Sequence, residues 1–389
     1  MLDGIKVLDL SHALAGPYCS LVLADLGATI YKLEPAGLGD MGRGWGPPFT
    51  GDQASYFLGL NRGKYGISID LKTAEGLALC LDLIERVDVV IENFRPGTME
   101  RLGLGYEACR ARNRRLIYCA ISGYGQDGPS REEAAMDLVV QASSGLLSIT
   151  GTEAGELTRC GYGVSDVTAG MFAAIGILGA AYAREATGEG RYLDVSMFDA
   201  MISVMSSNYA SFLGDREVPR PMGTQYPTVV PYGVYATADR PVAIAAGSEK
   251  LWAGFRRALE LEDLPEFRTN ALRIQNRAAL NVLLNERFAG RPAAEWVARL
   301  RAEGVPCSPV LNFEEVATHP QSLFRGMFPT LRHPTAGEHQ VTGPVIKPAG
   351  TPEMAAPLLG QHTRQVLGEE LGLDEAALAG LAARGIVLG

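Results

Sequence analysis

The chain is 389 residues long, and 35 lysines and arginines against 44 aspartates and glutamates give it a net charge of −9. That length accommodates a large core or two domains, and an apolar fraction of 47% with 20% charged residues excludes a disordered scaffold. An acidic chain with no Lys/Arg-rich block lacks the footprint of a nucleic-acid binder and of a basic membrane-surface patch, whereas anionic small molecules need only a few local donors.

In chain order, the first 125 residues alternate as a doubly wound sheet does. Strands are predicted at Ile5–Leu10, Thr29–Leu33, Gly66–Leu71, Val87–Ile91 and Leu116–Ile121, with helices over Tyr18–Leu26 and Thr73–Ile84. Strands this apolar, separated by helices, indicate a mostly parallel sheet covered on both faces. Gly37, Gly39, Gly42, Gly44 and Gly46, around Arg43 and Trp45, form a glycine-rich connection that reads equally as a ligand-facing loop or a surface excursion.

The 17-residue apolar run Val167–Ala183, between Asp166 and Arg184, reads as a buried helix, being short for a membrane span. A composition shift at Leu213–Gln225 marks a boundary. Beyond it a second alternating region carries Gly233–Tyr235, Val242–Ala246 and helices starting near Ser248 and Arg291; a capped helical pair is expected near Glu369 and Asp374. The expected domains are therefore 1–213 and 225–325, with 330–389 as a C-terminal segment.

Cys19, Cys80, Cys109, Cys119, Cys160 and Cys307 are scattered, without a CxxC pair, which predicts reduced thiols and a cytoplasmic protein rather than a disulfide scaffold or zinc site. The opening MLDGIKVLDLSH does not read as an export signal. His12, His319, His333, His339 and His362 have no metal-motif spacing, so no metal is expected. His12-Ala-Leu-Ala-Gly-Pro17 follows the first strand where a dinucleotide fingerprint would stand, and the phosphate-loop signature and the GxSxG elbow are missing too.

Two places invite chemistry. Asp166 lies in Gly161-Tyr-Gly-Val-Ser-Asp166, immediately before the apolar helix, where unpaired backbone N–H groups favour an ionised carboxylate suited to nucleophilic work. The plainer reading is that Ser165 or Asp166 caps the helix. Glu92-Asn-Phe-Arg-Pro-Gly97 stands at the carboxyl end of a strand, where open α/β sheets hold ligands. Arg95 and Arg101 there would bind phosphates or pair with surface carboxylates.

Several segments in fixed order resemble the class III CoA-transferases, a family that includes the formyl-CoA and L-carnitine CoA-transferases and the alpha-methylacyl-CoA racemases. The anchors are Ser11-His-Ala-Leu-Ala-Gly-Pro17, Lys32-Leu-Glu-Pro35, Asn61-Arg-Gly-Lys64, Glu92–Gly97, Ser122-Gly-Tyr-Gly-Gln126 with Gly128-Pro129, and Gly188-Glu-Gly-Arg191 with Asp194-Val-Ser196. The resemblance runs through nearly the whole chain. It implies a Rossmann-like large α/β domain built from both chain ends, a smaller α/β domain, and a homodimer of two interlocked rings. It implies that Asp166 attacks a donor thioester and relays CoA to an acceptor acid through an anhydride and an aspartyl-CoA thioester. It also implies that His12, Ala13, Leu14, Ala15, Gly16, Met136, Asp137 and Gly247 surround the reacting group. Leu71, Asn93, Phe94, Arg95 and Arg101 would contact coenzyme A, and Arg43 would reach its phosphates. Coenzyme A enters as a substrate, not as a resident cofactor, and the partners are small molecules rather than nucleic acid or membrane.

Departures narrow the reading. Racemases carry a histidine as one of two acid/base groups where this chain has Met136, which cannot transfer a proton. Oxalate-handling members have a glutamine at the place of Leu14, and Gly223–Pro227 with Val230-Pro-Tyr232 is more like the branch acting on succinyl-CoA and C4 to C6 dicarboxylates. The competing readings are a racemase, a noncatalytic acyl-CoA binding protein and a purely structural oligomer.

Overall fold

Fourteen strands are present among the residues that the computed structural model describes, 1–347, 350 and 353–388. They are β1 (Lys6–Asp9), β2 (Thr29–Glu34), β3 (Phe49–Thr50), β4 (Gln53–Ala54), β5 (Lys64–Ile69), β6 (Val89–Glu92), β7 (Ile117–Ser122), β8 (Tyr192–Ser196), β9 (Tyr232–Tyr235), β10 (Val242–Ala245), β11 (Cys307–Pro309), β12 (Thr330–His333), β13 (Gly337–Gln340) and β14 (Val387–Leu388). The chain divides into a larger unit, residues 1–146, 159–217 and 320–389, and a smaller one, 147–158 and 218–319.

In the larger unit seven strands form one sheet in the order β14-β5-β2-β1-β6-β7-β8. Every pairing is parallel except that of β14 with β5. The predicted strands are all present, each displaced by no more than two residues. Their apolar side chains explain this: Val7, Leu8, Ile30, Ile67, Val90, Ile117 and Cys119 are buried. Strand β8 was not foreseen, because at the sheet edge Tyr192 and Asp194 stay exposed and the apolar signal is diluted. Since β1, β6 and β7 are adjacent and parallel, the loops after Asp9, Glu92 and Ser122 leave the sheet along one edge.

The first helix starts at Ala15, three residues earlier than expected, because Pro17 still falls in the first turn, where no N–H is needed. It meets the long helix Val164–Thr187 closely: a Cβ added at Gly170 would lie 2.6 Å from the Ala15 carbonyl oxygen. That long helix ends at Gly188, whose φ of +72° supplies a left-handed stop. It is not buried all round, as the apolar run had suggested. Met171, Phe172, Ile175 and Tyr182 are exposed, Tyr182 by 86%.

The smaller unit holds an antiparallel sheet, β11-β10-β9, packed around Trp252, Phe255, Phe288, Trp296 and Leu300. Ser248 caps the helix Glu249–Leu259 by accepting from the Leu251 N–H. At the C-terminus Asp374 caps Glu375–Ala383, and β14 then pairs with β5, returning the chain end to the large sheet.

Candidate active site

The loops after β1, β2, β6 and β7 and the starts of the helices Ser55–Asn61, Val164–Thr187 and Met197–Val204 enclose a cavity of about 550 Å³, wholly within the larger unit. The loop after β1 is fixed before it reaches the cavity. Asn93 clamps it with its amide, accepting from the His12 N–H at 2.8 Å and donating to the His12 carbonyl at 2.8 Å. Ala13 then takes φ +64°, a left-handed conformation that costs a residue with a Cβ about 1–2 kcal/mol. Its N–H donates to Asp40 Oδ1 at 3.0 Å. Asp40 is buried, with Lys32 Nζ 2.9 Å from its other oxygen. Burial opposes its ionisation, but Lys32 and the Ala13 and Gly42 N–H groups outweigh that and hold its carboxyl at about 2.

Asp166 sits in the first turn of the helix Val164–Thr187. Neither it nor Ser165 caps that helix. The N-cap is Gly163, and the capping oxygen comes from another element: Asp137 Oδ1 accepts from the Ser165 N–H at 2.9 Å and from Ser165 Oγ at 2.7 Å. Gln141 Nε2 donates to the second Asp137 oxygen at 2.6 Å. The Asp166 carboxylate makes no hydrogen bond among the described residues, and burial, with the Asp137 charge added, pushes it up to about 7. The helix start was expected to favour the ionised form. A helix N-terminus is worth about 0.3–1 kcal/mol, whereas a rise from 3.8 to about 7 corresponds to about 4 kcal/mol. Burial wins.

Around Asp166 the cavity wall is mostly apolar, with Leu14, Met41, Trp45, Met136 and Met197 among its lining residues. A Cβ added at Gly163 would lie 2.5 Å from Leu14 Cδ2 and 3.4 Å from Asp166 Oδ2, so only glycine lets Leu14 pack this close. Trp45 and Tyr56 meet edge to face with centroids 5.0 Å apart. The Tyr56 hydroxyl is raised above its ordinary value by burial and then by Asp166. His12 packs edge to face on Phe94, and burial, followed by Lys32, lowers it so that the ring stays neutral near pH 7.

Of the residues singled out from sequence, His12, Ala13, Leu14, Ala15, Asn93, Phe94, Arg95, Met136, Asp137 and Asp166 line this cavity. Gly16, Arg43, Leu71 and Arg101 are not in its lining. Gly16 faces Ser11, Leu71 packs on the sheet's core, and Gly247 follows β10 in the smaller unit. Arg43 is turned inward, its guanidinium donating to both Glu34 oxygens at 2.7 Å and to the Pro357 carbonyl, and lying over the Phe57 ring. Glu34 thus takes up Nε and Nη2 of the guanidinium. Asn93 likewise spends its amide on the His12 backbone.

Sequence reasoning passed over Tyr56, Tyr124 and Arg131, all of which line the cavity. Tyr124 had an available signal, since Ser122-Gly-Tyr follows β7 as Glu92-Asn-Phe follows β6. Arg131 had none. A Cβ built on Gly97 would be 3.2 Å from Arg101 Nη1 and 3.7 Å from Arg131 Nη2, which brings two guanidinium groups together beside the loop of Arg95. Among the described residues no carboxylate pairs with Arg95 or Arg101, and Arg131 meets only the exposed Glu132. No group of three or more His, Cys, Asp or Glu is gathered for a metal among the described residues.

The model of CoA-transferase family III matches residues 2–363. The chain is similar to a succinyl-CoA:glutarate CoA-transferase of Mus musculus, 37% identical over 99% of this chain and 90% of that protein. It is also similar to an acetyl-CoA:oxalate CoA-transferase of Acetobacter aceti, 40% identical over 84% of each. A crystal structure of a CAIB/BAIF family protein from Brucella suis superposes with a TM-score of 0.85 at 34% identity, covering 95% of this chain and 99% of that one.

Proposed function

Because this chain belongs to CoA-transferase family III, and so moves coenzyme A from an acyl-CoA to a carboxylic acid through an aspartyl-CoA intermediate, we propose that Asp166 is the aspartate that carries it. The observation that supports this choice is a cavity-facing carboxylate with no hydrogen-bond partner, pushed up to about 7 by burial. A partly buried carboxylate without a hydrogen-bond partner loses little on attacking a carbonyl held against it.

The exchange balances in four steps. An Asp166 oxygen attacks the donor thioester carbonyl and expels CoA thiolate, leaving a mixed anhydride. The thiolate attacks the aspartyl carbonyl and releases the donor acid. The acceptor carboxylate then attacks the aspartyl thioester, again expelling thiolate. Finally the thiolate attacks the acceptor's acyl carbon, giving the new acyl-CoA and restoring Asp166. No proton is consumed, which suits a wall whose histidine is neutral and whose neighbour Met136 cannot titrate.

At the other end of the substrate, Arg95, Arg101 and Arg131 supply guanidinium groups without buried carboxylate partners, fitted to phosphates, while Phe94 offers an aromatic surface. As substrates we propose succinyl-CoA and a short dicarboxylate acceptor, on the similarity to the succinyl-CoA:glutarate enzyme. The protein is proposed to work in the cytoplasm as a ring-like homodimer; the exposed apolar side chains of the helix Val164–Thr187 and the six unpaired cysteines support this. The test is mass-spectrometric acyl exchange from succinyl-CoA to a panel of free acids. It should give acid-dependent new acyl-CoA species and a CoA adduct on the Asp166 peptide. Sedimentation that finds only monomer would overturn the dimer.

A further inference from the structure

We propose that Asp40 is a positioning residue for the transfer reaction: by accepting the Ala13 N–H it holds Ala13 left-handed, and so sets Leu14 against the start of the helix that bears Asp166. The inference rests on Asp166 being the nucleophile.

A chain of contacts carries it. Asp40 Oδ1 accepts from two backbone N–H groups, Ala13 at 3.0 Å and Gly42 at 2.8 Å, and its own N–H donates to Glu34 Oε2 at 2.8 Å. It is thus held on its own loop while reaching across to another. Lys32 is fixed in turn: wholly buried, it stands 2.9 Å from Asp40 Oδ2 and donates to the Ser11 carbonyl, one residue before His12. Asn93 pins His12 on both sides. With His12 pinned and Ala13 at φ +64°, the next side chain is aimed, and Leu14 lands on Gly163. Ala13 is one of three non-glycine residues with positive φ among those described, and it alone of the three lines the cavity. A residue with a Cβ persists there because the surroundings over-determine it. Releasing the Ala13 N–H removes one of those constraints, and displacement of a positioning group by about 1 Å costs up to about 100-fold in rate.

The same geometry separates a kinetic role from a structural one. Asp40→Asn retains an oxygen for the Ala13 N–H but discards the charge beside Lys32. It should lower Tm while keeping kcat within about threefold of the wild type. Asp40→Ala loses the acceptor, and kcat for acyl exchange should fall roughly 10- to 100-fold. KM for the acyl-CoA should stay within about threefold, because the arginine-bearing loops are untouched. Ala13→Gly, added to Asp40→Ala, should restore kcat at least about fivefold, since glycine adopts positive φ without strain.

If Asp40→Ala does not fold, Lys32→Met/Asp40→Leu removes both charges together, so that neither is left buried alone. The same loss of kcat and the same rescue by Ala13→Gly are then expected. The proposal is overturned if a folded variant lacking the acceptor keeps kcat within twofold of wild type, or if Ala13→Gly restores nothing. A parallel Asp166→Asn sample separates the two readings: persistent exchange there would remove the nucleophile assignment, whatever the Asp40 variants do.

Discussion

Asp40 and Asp166 are two enclosed carboxylates of the same unit, and their surroundings drive them in opposite directions. Asp40 has an ammonium group at 2.9 Å and two backbone donors, which hold it at about 2 despite burial. Asp166 has the Asp137 carboxylate nearby and no hydrogen-bond donor among the described residues, and it is pushed up to about 7. Burial alone does not distinguish a reactive acid from a structural one; the compensation around it does. A carboxylate that has been compensated has nothing to gain from attacking a carbonyl. One that has not is destabilised as an anion and gains by forming an acyl bond.

The largest effect that sharpens this contrast is in turnover. Asp166→Asn keeps the shape of the side chain but removes the nucleophilic oxygen pair, and acyl exchange should fall by about 10³-fold or more. The same substitution should make the protein more stable. The folded-state value of about 7 lies above the unfolded value of 3.8, so wild-type stability declines as pH rises between them. Denaturant titration at pH 8 should show Asp166→Asn more stable by roughly 1–4 kcal/mol, with the difference vanishing below about pH 4. A destabilised Asp166→Asn protein would break the comparison.

Asp40 carries the opposite sign. Asp40→Asn leaves Lys32 buried without its nearest carboxylate and should destabilise the protein by about 3 kcal/mol near neutral pH. Because Asp40 titrates at about 2 in the folded protein, below its unfolded value, its contribution is present above about pH 4 and is lost as pH falls through 2. Equilibrium unfolding at pH 7 and in acid checks both statements, since the two variants should then differ from wild type in opposite directions.

The pH dependence of the reaction follows from the same contrast. Attack needs ionised Asp166, so kcat/KM for the acyl-CoA should climb about tenfold per pH unit well below 7 and level off above it. Replacing Asp137 by Asn removes the neighbouring negative charge and favours the anion. The midpoint should therefore move to lower pH, which a kcat/KM profile of the variant would read directly. A midpoint that stays put or moves upward would mean that Asp137 contributes through its bonds to Ser165 and Gln141 and not through charge.

How much of this was legible in the sequence follows the range of the interactions. Apolar runs such as Val87–Ile91 betrayed their strands because a sheet covered on both faces needs nothing else, and the edge strand β8 escaped because half its side chains face outward. The position of Asp166 at a helix start was also readable. Its protonation was not, because burial and Asp137, 29 positions away, decide it and only folding brings them together. Asp40 was invisible for the same reason, inside a glycine-rich loop whose sequence fits a surface excursion equally well. The pairing of Arg43 with Glu34, nine positions earlier, was equally hidden, since only the folded loop brings the two side chains together.

The smallest expected effect separates fold from site within a single helix. Gly163 and Gly170 lie seven residues apart, and each keeps a close neighbour by lacking a Cβ. At Gly170 the neighbour is the Ala15 carbonyl, 2.6 Å from the added atom, which is backbone and cannot turn away. Gly170→Ala should push the two helices apart and cost about 1–3 kcal/mol of stability. At Gly163 the neighbour is Leu14 Cδ2 at 2.5 Å, the tip of a side chain that can rotate into the cavity. Gly163→Ala should thus cost less than about 1 kcal/mol in an unfolding titration. The displaced Leu14 nevertheless stands where the thioester must approach Asp166, so the same variant should lose several-fold in kcat, an effect of misplacement rather than of instability. Equal stability losses at the two glycines would mean that the cavity wall is as rigid as the helix contact behind it. In that case the loop carrying Leu14 would be held by more than the bonds from Asn93 and Asp40.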